Sequence, residues 1–357
     1  MKSKRSGIFI FSTILISIFI IGFFLETSLR VRQWVKYGSP TALQSFIIDH
    51  NTGLQIPEPG SKIGRISVNS LGFRSPELAL PKAKNTIRLA FLGGSTTWCA
   101  EVSGNEMTWP HLVWGELQKA FPNANFDYLN AGVPGYSTRE SLVTLEKRVR
   151  QLSPDVIIIY HATNDLSYDT RSLAKNQGIY SGKPEEISWL GNWSLAWFLL
   201  EKNVQIWLRG RHALSEIAHL SFDPKGLSRP FKKRLSAIIS ASKNIAPVVA
   251  VATFSYKFRP EQNKEEQIRA ANTSLYYMPY MSLDGILDGF REYNRIIREV
   301  AHETGVILIE GENDIPGDDV HFNDSVHFKD AGSVAMANRV TEALKNSQKF
   351  NVLLNTI

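Results

Sequence analysis

From about residue 86 onward, short and almost unbroken apolar runs alternate with segments of helical periodicity. Thr86 to Leu92, Phe126 to Leu129, Val156 to Tyr160, Val248 to Ala252 and Val306 to Ile309 are mostly apolar over strand-like lengths. Trp109 to Phe121, Arg139 to Leu152, Pro230 to Lys243, Ile286 to Thr304 and Ala331 to Lys345 instead space their apolar residues three and four apart, as one face of a helix does. Strands that do not alternate between apolar and polar are buried on both faces, which requires a parallel sheet with helices on either side. The pattern predicts an α/β fold, a three-layer α/β/α sandwich around a five-stranded parallel sheet.

The amino terminus follows a different pattern. Ser6 to Leu25 carries no charge and consists largely of Ile, Phe, Leu and Gly. As a helix it is roughly 30 Å long, the hydrocarbon thickness of a bilayer. Residues 26–30, Glu-Thr-Ser-Leu-Arg, offer no small-x-small cleavage site, so the reading is an uncleaved anchor over residues 1–30, with a signal peptide as the alternative. Lys2, Lys4 and Arg5 precede the run, while Arg30, Arg32 and Lys36 follow it. The proximal amino-terminal charges and Glu26 orient the chain with its amino terminus inside and residues 31–357 outside the cytoplasm.

Residues 31–84, punctuated by turn signals at Asn51-Thr52-Gly53, Pro57-Glu58-Pro59-Gly60 and Ser70-Leu71-Gly72, read as a connecting segment before a main domain at 85–348. That domain carries an insertion at about 165–228 with Trp189, Trp193, Trp197 and Trp207. The first three repeat every four residues and would share one helical face, expected against the sheet. A lid or a face at the membrane surface are the alternatives. The apolar stretch from Ile187 to Leu200 is too short to span a bilayer.

Composition adds limits. Hydrophobic residues make up 43% of 357 and charged ones 21%, a globular balance that excludes a disordered chain. Forty Lys and Arg against 34 Asp and Glu give a net charge of +6, too scattered for a nucleic-acid footprint. The densest cluster, Lys232, Lys233 and Arg234, reads as a solvated helix face. The one cysteine, Cys99, excludes an internal disulfide.

In a doubly wound parallel sheet the chemistry collects in loops at the carboxyl ends of the strands. After the first strand stands Gly93-Gly94-Ser95-Thr96-Thr97, a turn tight enough to expose a serine hydroxyl. It matches neither glycine-rich phosphate-binding spacing. After the second comes Asn130-Ala131-Gly132-Val133-Pro134-Gly135-Tyr136-Ser137, and after the third His161-Ala162-Thr163-Asn164-Asp165. Gly135 and Asn164 could donate N–H groups to a developing oxyanion, or simply make a turn and a cap. Near the carboxyl end, residues 318–327 hold two Asp-x-x-His pairs, Asp318 with His321 and Asp324 with His327. An Asp so placed can hold one imidazole nitrogen while the other takes a serine proton. The second pair is preferred because it abuts the last predicted helix. A metal site is the alternative reading of this cluster, but no ligand spacing of a known type accompanies it.

Together, Gly93-Gly94-Ser95-Thr96, Asn130 to Gly135, Thr163-Asn164-Asp165 and Asp324-Ser325-Val326-His327 resemble the four blocks of the SGNH (GDSL-like) hydrolases, in order and over about residues 86–345. Asn69-Ser70-Leu71-Gly72-Phe73-Arg74 is similar to a segment that precedes this domain in membrane-anchored bacterial members. The resemblance implies a flavodoxin-like hydrolase fold with Ser95 as nucleophile, His327 as general base and Asp324 as its orienting partner. It also implies an oxyanion hole from the N–H groups of Ser95 and Gly135 and the amide of Asn164, with no cofactor or metal. The first block lacks the aspartate of Gly-Asp-Ser, and the third has Ala162-Thr163 where glycines often stand, which narrows the pocket. The implied activity is hydrolysis of an acyl ester on a small molecule, lipid or polysaccharide. The alternatives are an O-acyltransferase modifying an exported polysaccharide and a non-catalytic carbohydrate-binding or assembly module.

Overall fold

A computed structural model of the chain describes residues 2–37, 46–179, 188–212 and 219–356. The chain opens in one helix, α1 (Lys2–Tyr37), whose Phe9–Val35 stretch is long and apolar enough to cross a membrane and is not buried in the rest of the protein. The helix outlasts the uncharged run because no Gly or Pro intervenes before Tyr37. Two small antiparallel hairpins follow, β1 (Phe46–Ile48) with β2 (Gln55–Pro57) and β3 (Lys62–Ile63) with β4 (Ile66–Ser67). The stretch up to residue 84 is packed as well as connecting, since Phe73 joins the apolar core and Arg74 is fully buried.

The expected sheet forms from β5 (Thr86–Gly93), β6 (Asn125–Asn130), β7 (Val156–Tyr160), β8 (Val248–Ala252) and β9 (Ile307–Ile309). All neighbours are parallel, in the order β6-β5-β7-β8-β9. Every residue of β7 and β8 is buried, as a sheet covered on both faces demands. Helix α2 (Ser95–Trp98) begins directly after β5, and α3 (Trp109–Ala120) carries the chain to β6. Helix α4 (Thr138–Thr144) runs on through a wide turn at Leu145–Val149 and a tight one at Arg150–Leu152, where a single regular helix is predicted. Helices α5 (Thr163–Asn176), α6 (Trp189–Trp193), α7 (Leu195–His212) and α8 (Pro224–Lys243) lead to β8. Then α9 (Lys264–Tyr277) and α10 (Leu283–Thr304) lead to β9, and α11 (Asp330–Lys345) and α12 (Gln348–Leu354) follow.

Helices α3 and α11 pack together in one layer, and α8 and α10 in the other. The chain leaves β5 for β6 in one direction and returns past it to β7, so the winding reverses between β5 and β7. Loops at such a switch point splay apart and leave a crevice.

Several expectations change with packing. Helices α5, α9 and α12 form where no helix is predicted. Helix α8 starts six residues before the predicted Pro230: Asp223 caps it by accepting from the N–H groups of Lys225 (3.2 Å) and Gly226 (2.9 Å), and Pro230 lies inside. The Lys232–Arg234 cluster is not simply a solvated face, because Arg234 turns inward to the buried Asp165 (3.1 Å) and to Asp169 (2.6 Å). The tryptophan stripe is neither one helix nor buried. The chain breaks at Ser194 between α6 and α7, and Trp189 and Trp193 are 72% and 73% exposed. Residues 38–45 of the connecting segment and 180–187 and 213–218 of the insertion, Ile187 among them, lie outside the described residues.

The folded body runs past residue 348, since Phe350 on α12 is buried with its ring 6.0 Å from that of Phe121 and 6.5 Å from that of Phe126. Phe350→Ala should therefore cost about 3–5 kcal/mol in urea unfolding. A cost below about 1 kcal/mol would show that α12 is an appendage.

Candidate active site

The nucleophile candidate sits where β5 ends. Gly94 precedes α2, and a side chain there would come within 2.7 Å of the Asn164 amide nitrogen and 2.9 Å of the Tyr136 carbonyl oxygen. Only glycine lets the three loops close on one another. Ser95 is the first residue of α2, so its N–H has no acceptor within the helix. Arg74 braces the far end of that turn by donating to the carbonyls of Trp98 (2.7 Å) and Cys99 (2.6 Å).

The loop after β6 makes a tight turn closed by the Tyr136 N–H donating to Val133 at 3.1 Å, with Pro134 and Gly135 at its centre. Gly135 has φ +84°, which the last central position of such a turn requires. The Asn130 side chain fastens this loop to α2, donating to Thr97 at 2.8 Å and accepting from the Gly132 N–H at 2.9 Å. Asn164, in the first turn of α5, donates to Tyr136 at 2.8 Å, which leaves its second amide N–H uncommitted by that bond. The neighbouring Asp165 is fully buried and accepts from the Thr138 N–H (3.0 Å) and hydroxyl (2.6 Å) and from Arg234, so the second and third loops are tied together from beneath. Burial raises the Asp165 carboxyl above its ordinary range, against the pull of Thr138 and Arg234.

The carboxyl-terminal loop brings the base. His327 Nε2 lies 2.7 Å from Ser95 Oγ, and its Nδ1 lies 2.9 and 2.8 Å from the two carboxylate oxygens of Asp324. Asp324 also accepts from the N–H groups of Val326 and His327, both at 3.0 Å, so its orientation is set by its own turn. Ser325 pins that turn to α9 by accepting from the N–H groups of Thr273 (3.0 Å) and Ser274 (3.1 Å). Asp318 and His321 make the same local pair at 2.8 Å but do not line the cavity that holds Ser95. Among the described residues, no group of three or more His, Cys, Asp or Glu side chains is placed to hold a metal ion.

Ser95, Gly135, Asn164 and His327 line one cavity of about 490 Å3, together with Pro134, Tyr168, Tyr277 and Val326. Its size suits a small ester group with part of its carrier. Desolvation depresses the pKa of the His327 imidazolium, but the negative charges of Glu101 and Asp324 and the hydrogen bond that Nδ1–H donates to Asp324 outweigh it and lift the pKa to about 9. Asp324 moves the other way: burial favours its neutral form, yet His327 and the two backbone donors hold it below the ordinary carboxylate range.

Glu101 is missed in sequence. It lines the cavity six residues after Ser95, and its Oε2 is buried without a hydrogen-bond partner. Burial raises its pKa, and the charge it does carry acts on His327. The available signal was a lone carboxylate in Trp98-Cys99-Ala100-Glu101-Val102, an otherwise apolar run beside the nucleophile. Thr273, Ser274 and Tyr277 on α9 also reach the cavity, from a helix with no motif to mark it.

A family model described as the GDSL-like lipase/acylhydrolase family matches residues 91–335, more than half of the 357-residue chain. No curated protein matches it. Among solved structures the chain is similar to Axe2, an acetylxylan esterase from Geobacillus stearothermophilus, at 16% identity and a TM-score of 0.44 over 73% of this chain and 96% of that one. It is also similar to the acetyl xylan esterase AlAXEase, at 17% identity and a TM-score of 0.43 over 72% and 99%. A third is LAE5, an alpha/beta hydrolase enzyme from the metagenome of Lake Arreo, Spain, at 15% identity and a TM-score of 0.42 over 72% and 94%.

A raised imidazolium pKa means the proton-accepting form grows with pH and is complete only above it. With a neutral ester, kcat/KM should rise with pH, with its midpoint near 9, and level off only above that. Glu101→Gln removes a negative neighbour and should move that limb to lower pH. An unmoved limb would mean that Glu101 does not act on the base.

Proposed function

Because this chain belongs to the GDSL-like lipase/acylhydrolase family, and is a serine hydrolase of the SGNH type acting on ester bonds, we propose that it is a membrane-anchored esterase or deacylase working through an acyl-serine intermediate. The observation that carries the reading is the unbroken contact from Asp324 through His327 to the Ser95 hydroxyl, 2.8 and 2.7 Å long.

In the first half-reaction His327 Nε2 takes the Ser95 Oγ proton as Oγ bonds to the ester carbonyl carbon. The carbonyl oxygen becomes an oxyanion, met by the N–H groups of Ser95 and Gly135 and the free N–H of Asn164. Such donors are fixed before the charge develops, so they stabilise the transition state more than the substrate. The carbon–oxygen bond to the alcohol then breaks, and His327 returns the proton to that alcohol. In the second half, His327 takes a proton from water as the water attacks the acyl-serine carbonyl; the bond from the acyl carbon to Oγ then breaks, His327 returns the proton to Oγ and the free acid leaves. Asp324 stays ionised, holds the imidazole tautomer and balances the imidazolium.

In this reading α1 is an uncleaved anchor with the hydrolase domain outside the cytoplasm. Engagement of Glu26 by the folded domain supports retention: its carboxylate accepts from the Leu195 N–H at 3.0 Å and the Ala196 N–H at 2.9 Å.

Hydrolysis of p-nitrophenyl esters of increasing acyl length tests the proposal. Ser95→Ala should lower kcat by several orders of magnitude, and Asn164→Ala by about a hundredfold or more at little change in KM. Equal rates for Ser95→Ala and the unmodified enzyme would remove Ser95 as nucleophile.

A further inference from the structure

Helix α7 presents apolar residues on two sides. Leu195, Leu199 and Ile206 are partly buried on the side that faces the folded domain, where α7 packs along α9. On the other side Trp197, Leu200, Val204, Trp207 and Leu208 recur at intervals of three and four and are 41–57% exposed. Trp189 and Trp193 on α6 extend this exposed surface. A single exposed tryptophan needs no explanation, but a contiguous stripe of this kind marks a surface that meets something apolar.

The partner is identified by what holds α7 in place. Glu26 on α1 stands immediately after Leu25, the last residue of the uncharged run. Its carboxylate caps α7 from outside, accepting from the Ser194 hydroxyl (2.9 Å) and from the N–H groups of Leu195 and Ala196. Arg30, paired with Glu26 at 2.6 Å, donates to the Trp193 carbonyl at 3.3 Å. The first turn of α7 is therefore tied to α1 at the level where the apolar run gives way to charge. With α1 across a bilayer, that level is the boundary of hydrocarbon and headgroups, where tryptophan is most favoured.

We propose that α6 and α7 form a bilayer-docking element, with the Trp189–Leu208 stripe seated among the lipid headgroups beside the anchor. This rests on the reading of α1 as a membrane span. The docking puts α9, which lines the catalytic cavity, about one helix diameter from the membrane, roughly 10 Å.

The test uses the full-length protein reconstituted in phosphatidylcholine vesicles, with and without lipid brominated at the shallow end of its acyl chains. Trp98 and Trp109 are buried in the core and serve as unquenched references. Bromolipid should quench the emission of the unmodified protein and of Trp34→Phe. Most of that quenching should be lost when Trp189, Trp193, Trp197 and Trp207 are all changed to Phe, which keeps the stripe apolar and the fold intact. Equal quenching of the fourfold variant and the unmodified protein overturns the docking. So does a detergent-solubilised dimer that Leu200→Glu converts to monomer with no vesicle quenching lost, since a second copy would then cover the stripe. Flotation of the same samples separates the two levels: a chain that floats without stripe quenching loses the docking alone, whereas one that does not float loses the anchor and the docking with it.

Discussion

The contact between Ser95 Oγ and His327 Nε2 joins positions 232 residues apart, and the rest of the body is arranged around keeping it at 2.7 Å. A proton moves usefully only over hydrogen-bond distance, so neither loop can drift by an ångström. Each is fastened more than once. The serine side is held by β5, by Asn130 and by Arg74. The histidine side is held by the bonds of Ser325 to α9, by the Phe322–Phe328 bridge, and by Asp330 accepting from the Ser103 N–H at 2.8 Å, which ties the two halves directly.

Electrostatics divides the same body into working and structural polar groups. Around His327, two carboxylates override desolvation and make a strong base that must lose a proton before it can act. Beneath the oxyanion loops, Asp165, Asp169, Arg234 and Tyr293 form a closed network, with Tyr293 donating to Asp169 at 2.6 Å. Removing one partner there would leave a buried charge alone, which is what makes such networks rigid supports. At the opposite end of the sheet, Arg88, fully buried, joins Asp127 on β6 at 2.6 Å and the Leu152 carbonyl at 2.9 Å. Both sets of buried charged groups lie where loops or strands must be held in register.

The amino-terminal helix is joined to the domain by a capping interaction at Glu26. A carboxylate that satisfies orphan N–H groups at a helix start has a fixed place, so α1 and α7 share one geometry. This connects the long apolar helix α1 to α7, which packs along the cavity-lining α9.

Strand positions, sheet type and the four loops were legible in sequence because continuous apolar runs and glycine turns express short-range physics: which residues can be buried on both faces and which can turn sharply. The Asp-x-x-His geometry is local too, which is why Asp318–His321 and Asp324–His327 form equal pairs and cannot be told apart by their own residues. Only the tertiary structure, by tying Ser325 to α9, decides which imidazole reaches the serine. It alone gives Glu101 its influence on the base, turns Arg234 inward and leaves the tryptophans outward, because each depends on neighbours far along the chain. Sequence determined what each segment could form. The long-range contacts determined which candidates meet, since field strength, burial and hydrogen-bond reach are set by distances in space.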